Sequence, residues 1–548
     1  MIELSADEIF DDLTEQMIGK FLENNPDYAT SLGLHDPYDC LLPRGSTERL
    51  RDNLRVEEEW IKRLRETVKY DELSAEHRVD WEIIEKFYEI SKFYFFETRM
   101  YELNPDAFED IGGLLFIMLT RDYAPLDKRI DAIAARIEKL PKFLEEFRSR
   151  FQKSATVKLW TEIAIETAQN MEGLFQFILH LAKGKVPDKV YKRLNSTVGN
   201  LEPVMKTHLT WLNSLLPKTA EKWAIGKEKF EKLIGLRELG MTSTEILRLG
   251  EKYLKELKVE RKRLAQQIAP GRSEEEVLKK IESNAPKTFD EALKFTEETM
   301  KEARRFIQEK NLVTVYPEDK LLVRETPAFL APLFPFAALM MPAKYDKPQI
   351  GIYIVTRPKD LANLRKHLNC ASIRNTAVHE AFPGHFLQGA VSNRGSVVRL
   401  LVDGTETVEG WAHYCEEMMA EKGFITDDET RLIQINDMIW RAVRIIVDIK
   451  LSQGEMSFEE AVKMLVEEAR MSREGAVAEV KRYTRTPGYP LSYLLGKHLI
   501  LKLKAEVKRK MGKKFNEKSF HDTITANGYM PISVLRKVFN QKISQLKD

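Results

Sequence analysis

The sequence predicts a mainly α fold interrupted once by a small β-sheet, and three observations carry that prediction. Long stretches repeat apolar residues at three- and four-residue spacing with Glu, Lys and Arg between them, the pattern of helices that bury one face. Pro and Gly fall between these stretches, where turns are cheap and helix interiors would be costly. Runs of β-branched and aromatic residues bounded by Pro, Asp and Gly are confined to positions 312–358.

Taken in chain order, Thr47 to Lys69, Leu126 to Leu140, Glu162 to Ala182 and Glu245 to Ile268 read as amphipathic helices. Breaks are expected at Asn25-Pro26, Asn104-Pro105, Pro187, Pro203, Pro217, Pro270-Gly271 and Ala285-Pro286. Leu312 to Tyr316, Leu321 to Arg324 and Gly351 to Thr356 read as strands, the last as an exposed edge able to hold an extended peptide by main-chain hydrogen bonds. The apolar stretch from Pro327 to Met341 reads as buried core or a wall of the site. Helices resume near Leu361 and run to Lys542, with turns near Gly423, Gly454 and Pro487 to Pro490. The expected division is 1–310, a helical N-terminal lobe, and 311–548, a C-terminal lobe holding the sheet and the reactive motifs, within one continuous unit.

Composition narrows the function. The 548 residues carry 86 Lys+Arg against 85 Asp+Glu, a net charge of +1, so no overall electrostatic pull toward nucleic acid or an anionic membrane exists. Cys40, Cys370 and Cys415 are too scattered for a disulfide framework or a CxxC metal site, which fits a reducing compartment. Met1-Ile-Glu-Leu-Ser-Ala-Asp-Glu lacks the basic and apolar regions of a secretory leader, and the apolar run from Ala328 is broken by Pro332 and Pro335. A cytoplasmic location is expected, with neither nucleic acid nor membrane as partner; the oligomeric state stays open, a homodimer included.

Chemistry concentrates where four of the 10 His residues fall between His367 and His413. Thr376-Ala-Val-His379-Glu380-Ala-Phe-Pro383-Gly384-His385 resembles a zinc-binding HExxH with its second His two residues late. Six residues advance an ideal helix by roughly 600°, which would leave the imidazoles about 120° apart and unable to share a metal. The Pro-Gly pair removes that obstacle, because Pro383 withdraws a helix donor and Gly384 tolerates unusual backbone, so a locally widened helix is expected to absorb the extra residues. Glu409 follows His385 by 24 residues, room for a loop and a second helix to return alongside, which completes a His₂Glu set with an open fourth position. Glu380 then stands as general base. His413 shares a helical face with Glu409 and is either an alternative ligand or a donor to substrate. Glu416, one turn further on, is placed to orient a ligand.

At these residues the chain resembles the DUF885 family, on HEAFPGHFLQ followed by EGWAHYCEEM. Similar blocks are Asn25-Pro-Asp-Tyr-Ala-Thr-Ser-Leu-Gly33, Met241 to Gly250, Thr326 to Leu330 and Thr486 to Gly496. The resemblance implies kinship to zinc oligopeptidases and carboxypeptidases of the neurolysin type. The implied fold is a two-lobed helical metallopeptidase with a deep cleft and the small sheet at its edge. It further implies that His379, His385 and Glu409 bind Zn²⁺, or Mn²⁺ or Co²⁺, with Glu380 as base. One position departs: many members carry another His after the second ligand, where this chain has Phe386.

Hydrolysis of a peptide bond also needs donors for the developing oxyanion. Tyr493 is the favoured donor and Tyr489 the second, from the segment Tyr483-Thr-Arg485-Thr-Pro-Gly-Tyr489-Pro-Leu-Ser-Tyr493, which resembles the Tyr-bearing segment of neurolysin-type peptidases. Tyr483 and Arg485 are candidates for holding substrate, Arg485 through a peptide carboxylate. The expected activity is metal-dependent hydrolysis of short peptides, as a carboxypeptidase or an oligopeptidase. The alternatives are a non-catalytic, metal-containing peptide-binding protein and a hydrolase of another amide.

Overall fold

The computed structural model describes residues 4–151, 155–326, 336–402 and 404–545. Helices dominate and one three-stranded sheet interrupts them, in accord with the periodicity. The four long segments are helical as Thr47–Thr67, Leu126–Ile137, Lys158–Ala182 and Ser243–Ile268. Their ends follow local chemistry. Before Ser243–Ile268 the Thr242 hydroxyl accepts from the Glu245 amide and the Glu245 carboxylate accepts from the Thr242 amide, so two orphaned donors are satisfied reciprocally. Leu126–Ile137 ends early because Pro141 suits the first turn of a new helix, Leu140–Arg148.

Contacts divide the chain into two compact units, Met1–Trp223 and Ala224–Asp548. This differs from the boundary expected after residue 310. The reason is packing: Ser243–Ile268 runs along Asp428–Gln453, and Phe289–Glu309 lies against Cys370–Glu380, so these helices share the core of the second unit. In the first unit, buried Arg136 donates to Thr30 Oγ1 at 2.6 Å and to the carbonyls of Tyr38 and Leu41 at 2.9 and 2.8 Å. One guanidinium thus fixes the chain that follows Asn25 to Gly33.

Within the second unit, Thr405–Glu421 and Ser492–Met511 pack backbone to backbone. A Cβ on Gly410 would stand 2.6 Å from Gly496 Cα, so two small residues set how closely these helices approach. The sheet holds β1 (Lys320–Glu325), β2 (Ala337–Met340) and β3 (Ile350–Val355) in the order β1-β3-β2, with β1 parallel and β2 antiparallel to β3.

Three expectations for this region change here, two of them for strands. β3 is the central strand and not an edge; both its ladders are occupied and Gly351 to Val355 are buried, so it offers no free main chain to a peptide. Leu312 to Tyr316 forms no strand, because its polar groups pair with the helix Glu517–Ala526: His521 Nδ1 donates to the Leu312 carbonyl at 2.8 Å, and Thr314 donates to Asp522 through its amide at 2.7 Å and its hydroxyl at 3.0 Å. Of the apolar stretch from Pro327 to Met341, residues 327–335 lie outside the described residues. Ala337–Met340 is half-buried β2 and not fully buried core. Among the described residues no helix is long and apolar enough to cross a membrane.

Candidate metal centre

The expected widening of a single helix does not occur. Cys370–Glu380, capped by Asn369 through the Ser372 amide at 2.9 Å, stops, and His385–Ser392 starts after a four-residue break. The Ala377 carbonyl accepts from both Ala381 and Phe382, and the Val378 carbonyl accepts from Gly384 at 3.1 Å across the gap that Pro383 cannot fill. Gly384 has negative φ, so its glycine is needed for room: a Cβ would overlap the carbonyl oxygens of Val378 and His379. His379 therefore lies in the last turn of one helix and His385 opens the next. Their rings meet edge to face at 4.8 Å and 88°. Trp411 Nε1 donates to the Pro383 carbonyl at 2.8 Å, tying the break to the helix that carries Glu409. Phe386 points elsewhere, wholly buried beside Phe382 and against Gly351 of β3.

Glu409 Oε2 lies 3.3 Å from His385 Nε2 and 3.9 Å from His379 Nε2, and the three ligand atoms fall within 4.8 Å of one another. Tetrahedral ligands at about 2.1 Å from zinc would stand roughly 3.4 Å apart, so modest closure of this set suits a cation. A second observation supports the fit. Among the described residues the buried Glu409 Oε2 accepts no well-formed hydrogen bond, and the His385 and His379 nitrogens stand 3.3 and 3.9 Å from it, so a cation seated among the three would satisfy all of them. Its other oxygen accepts from the Tyr489 hydroxyl at 2.6 Å. Burial alone would raise the Glu409 pKa, but the His385 and His379 imidazoles and the Tyr489 hydroxyl hold it well below the usual carboxylate range. Burial opposes charge on His385, and the Glu409 carboxylate outweighs it and raises that pKa.

Behind the ligands runs a buried polar chain. His379 Nδ1 bonds Glu416 Oε1 at 2.7 Å, Asn375 Nδ2 donates to Glu416 Oε2 at 3.2 Å and to Asp437 at 2.9 Å, and Gln434 donates to the Glu416 carbonyl at 3.0 Å. With its Nδ1 proton on Glu416, His379 presents Nε2 toward the cluster. His413 joins neither group. It is wholly buried and lies outside the candidate ligand set; Nδ1 stands 3.4 Å from Glu416 Oε1 without forming a hydrogen bond, and burial pushes its pKa down to about 4. Neither a ligand role nor contact with substrate fits that position. Glu416→Gln is expected to weaken metal binding by about 10- to 100-fold, read by competition with a chromogenic chelator, because the amide cannot hold the Nδ1 proton as a carboxylate does.

A sequence profile described as bacterial protein of unknown function, DUF885, matches residues 26–538. The chain belongs to the DUF885 family. It superposes on a putative lipoprotein of unknown function from Shewanella oneidensis at a TM-score of 0.80 and 22% identity, covering 97% of this chain and 99% of that one. A putative lipoprotein from Colwellia psychrerythraea matches at a TM-score of 0.83 and 17% identity, covering 99% and 100%. At such identities the likeness concerns the fold alone. No curated protein matches.

In this DUF885 chain the remaining candidates take distinct places. Glu380 is half-buried, and no hydrogen bond or ion pair engages its carboxylate among the described residues. Buried Tyr353 of β3 faces it: burial, and then the Glu380 charge, push the Tyr353 hydroxyl pKa far up. Tyr489 bonds a candidate ligand directly, while Tyr493 packs edge to face on it at 6.0 Å. Tyr483 is buried with its hydroxyl accepting from Arg444 Nε at 2.8 Å, which removes it from substrate. Arg485 ends the helix Arg473–Arg485, and the guanidinium over the Tyr489 ring is that of Arg482.

Two groups that sequence reasoning missed hold the tyrosine turn. Buried Asp448 accepts from the Gly488 and Leu491 amides at 2.9 and 3.0 Å. Arg237 donates to the Gly488 carbonyl and to Ser492 Oγ, and pairs with Glu406 one turn before Glu409, so it joins the tyrosine turn to the ligand helix. Only their distant position hid them; nothing local in sequence links Arg237 to Gly488.

Proposed function

We propose that the protein is a metal-dependent peptidase, zinc-loaded in the first instance, that hydrolyses short peptides in the cytoplasm within a two-lobed, neurolysin-like fold. The observation that carries this reading is Glu409 Oε2, buried without a hydrogen bond between two imidazole nitrogens, with the unengaged Glu380 carboxylate next in sequence to His379. A zinc ion held by His379, His385 and Glu409 supplies Lewis acidity toward a carbonyl oxygen and makes nearby water more acidic.

The chain's own residues do the rest. Glu380 accepts a proton from water on its carboxylate and passes it to the leaving amine. The Tyr489 hydroxyl orients Glu409 and stands where it can turn to a substrate oxyanion, with Tyr493 behind it. Glu416 and Asn375 hold the His379 ring. Unpaired Cys40, Cys370 and Cys415 suit a reducing compartment.

The test is incubation of the zinc-loaded protein with a mixed short-peptide library, followed by mass spectrometry, with chelated, manganese-loaded and cobalt-loaded samples alongside. Cleavage lost on chelation and restored by metal is the expected result. Retained metal with every peptide intact would overturn the peptidase reading.

A further inference from the structure

Next to the metal centre stands a pair of arginines that the proposed chemistry leaves unused. Arg444 on Asp428–Gln453 and Arg482 on Arg473–Arg485 both donate from Nη2 to Glu479 Oε2, at 3.0 and 2.9 Å. Two guanidiniums share one carboxylate, so among the described residues this group carries one positive charge in excess. Arg444 is buried and committed: Nε donates to the Tyr483 hydroxyl, and the guanidinium lies 3.9 Å from the Trp440 ring centre and 4.2 Å from that of Tyr493.

Arg482 is different. Its side chain is 34% exposed, and Glu479 takes its only hydrogen bond among the described residues, which leaves Nε and Nη1 available. The guanidinium lies 5.6 Å from the centre of the Tyr489 ring, whose hydroxyl is bonded to Glu409. One tyrosine side chain therefore separates a partly exposed fork of donors from a candidate metal ligand.

We propose that Arg482, backed by Arg444, binds the terminal carboxylate of a peptide substrate and makes the protein a carboxypeptidase. The inference rests on the peptidase reading and selects its substrate class. A guanidinium fork matches a carboxylate with two parallel hydrogen bonds, and the Tyr483 and Tyr489 rings lie beside this one at 5.2 and 5.6 Å. In a peptide cut at its last bond, the terminal carboxylate lies one residue beyond the scissile carbonyl, about 3.8 Å further along the Cα trace. An interior bond would put an uncharged amide at Arg482, with nothing to offset the extra charge. In the reaction water adds across the last peptide bond: a C–O bond forms and the C–N bond breaks, the new carboxylate stays on the shortened peptide, and both protons of the water end on the nitrogen of the released residue, which leaves as an ammonium while its own carboxylate stays paired with Arg482.

N-acetylated tripeptides as free acids and as matched C-terminal amides provide the test, by calorimetric binding to zinc-loaded Glu380→Gln protein and by cleavage with the wild type. Free acids are expected to bind on the order of 10- to 100-fold more tightly than amides and to release single C-terminal residues. Arg482→Ala should erase that ratio without changing amide binding, and Arg482→Lys should restore part of it. Glu479 keeps Arg444 in both variants, so the fold has no reason to fail. Equal binding of acids and amides, no binding of acids, or a ratio untouched by Arg482→Ala would overturn the proposal even if metal-dependent cleavage is found. An Arg482-dependent preference for acids with no cleavage of any peptide would instead leave the carboxylate site standing and overturn the peptidase reading.

Discussion

Glu380→Gln is expected to lower kcat by roughly 10²- to 10⁴-fold, the usual worth of a positioned general base, while metal content and KM stay close to wild type. The separation follows from where Glu380 stands. It is the last residue of Cys370–Glu380, directly after His379, yet it is not among the candidate ligands, and among the described residues it makes no hydrogen bond that substitution would break. Gln keeps the volume and the polarity but cannot take a proton. Loss of rate with metal retained, by elemental analysis of the same sample, would assign the effect to proton transfer. A ligand substitution such as His385→Ala should instead lose metal and rate together. Undiminished cleavage by Glu380→Gln would end the proposed mechanism, because Glu380 is the base on which it depends.

The contrast between these residues and the rest of the site shows what could be read before the fold was known. His379, His385 and Glu409 were legible as candidate ligands because metal ligation demands particular residue types, and three successive helices carry those types at recognisable spacings. The helical class was legible for the same kind of reason, since each amphipathic segment repeats its own pattern. The geometry linking the ligands was not. A Pro-Gly pair is compatible with a widened helix and with a broken one, and the choice depends on Trp411 reaching back to the Pro383 carbonyl from a later helix. The position of β3 was hidden likewise: six residues suited to a strand do not reveal whether one neighbour or two will pair with them, and β2 lay inside an apolar run that reads as core. Arg482 and Arg485 were indistinguishable in sequence, being one helical turn apart with the same charge; only the packing of Tyr489 selects Arg482.

The first unit carries a stability effect of comparable weight, and it has a defined sign. Glu57, 4% exposed on Thr47–Thr67, leaves Oε2 without a hydrogen-bond partner, and burial pushes its pKa up to about 8 against an ordinary value of 4.5. Below pH 4.5 the carboxyl is protonated in folded and unfolded chains alike, and its full contribution to stability is present. As the pH rises toward 8 the unfolded chain ionises while the folded one keeps its proton, so stability falls by about 1.4 kcal/mol per unit. The loss ends above the folded pKa and totals on the order of 4 kcal/mol. Glu57→Gln mimics the protonated side chain and cannot ionise. The variant should match wild type near pH 4.5 and exceed it by several kcal/mol near pH 8.5, measured as the difference in hydrogen-exchange protection of the Thr47–Thr67 amides between the two proteins at each pH. Comparing proteins at one pH cancels the intrinsic pH dependence of exchange, so only the linkage remains. A difference that stays constant across the range would mean that Glu57 is ionised in the folded protein and that some group not bonded to Oε2 compensates its charge.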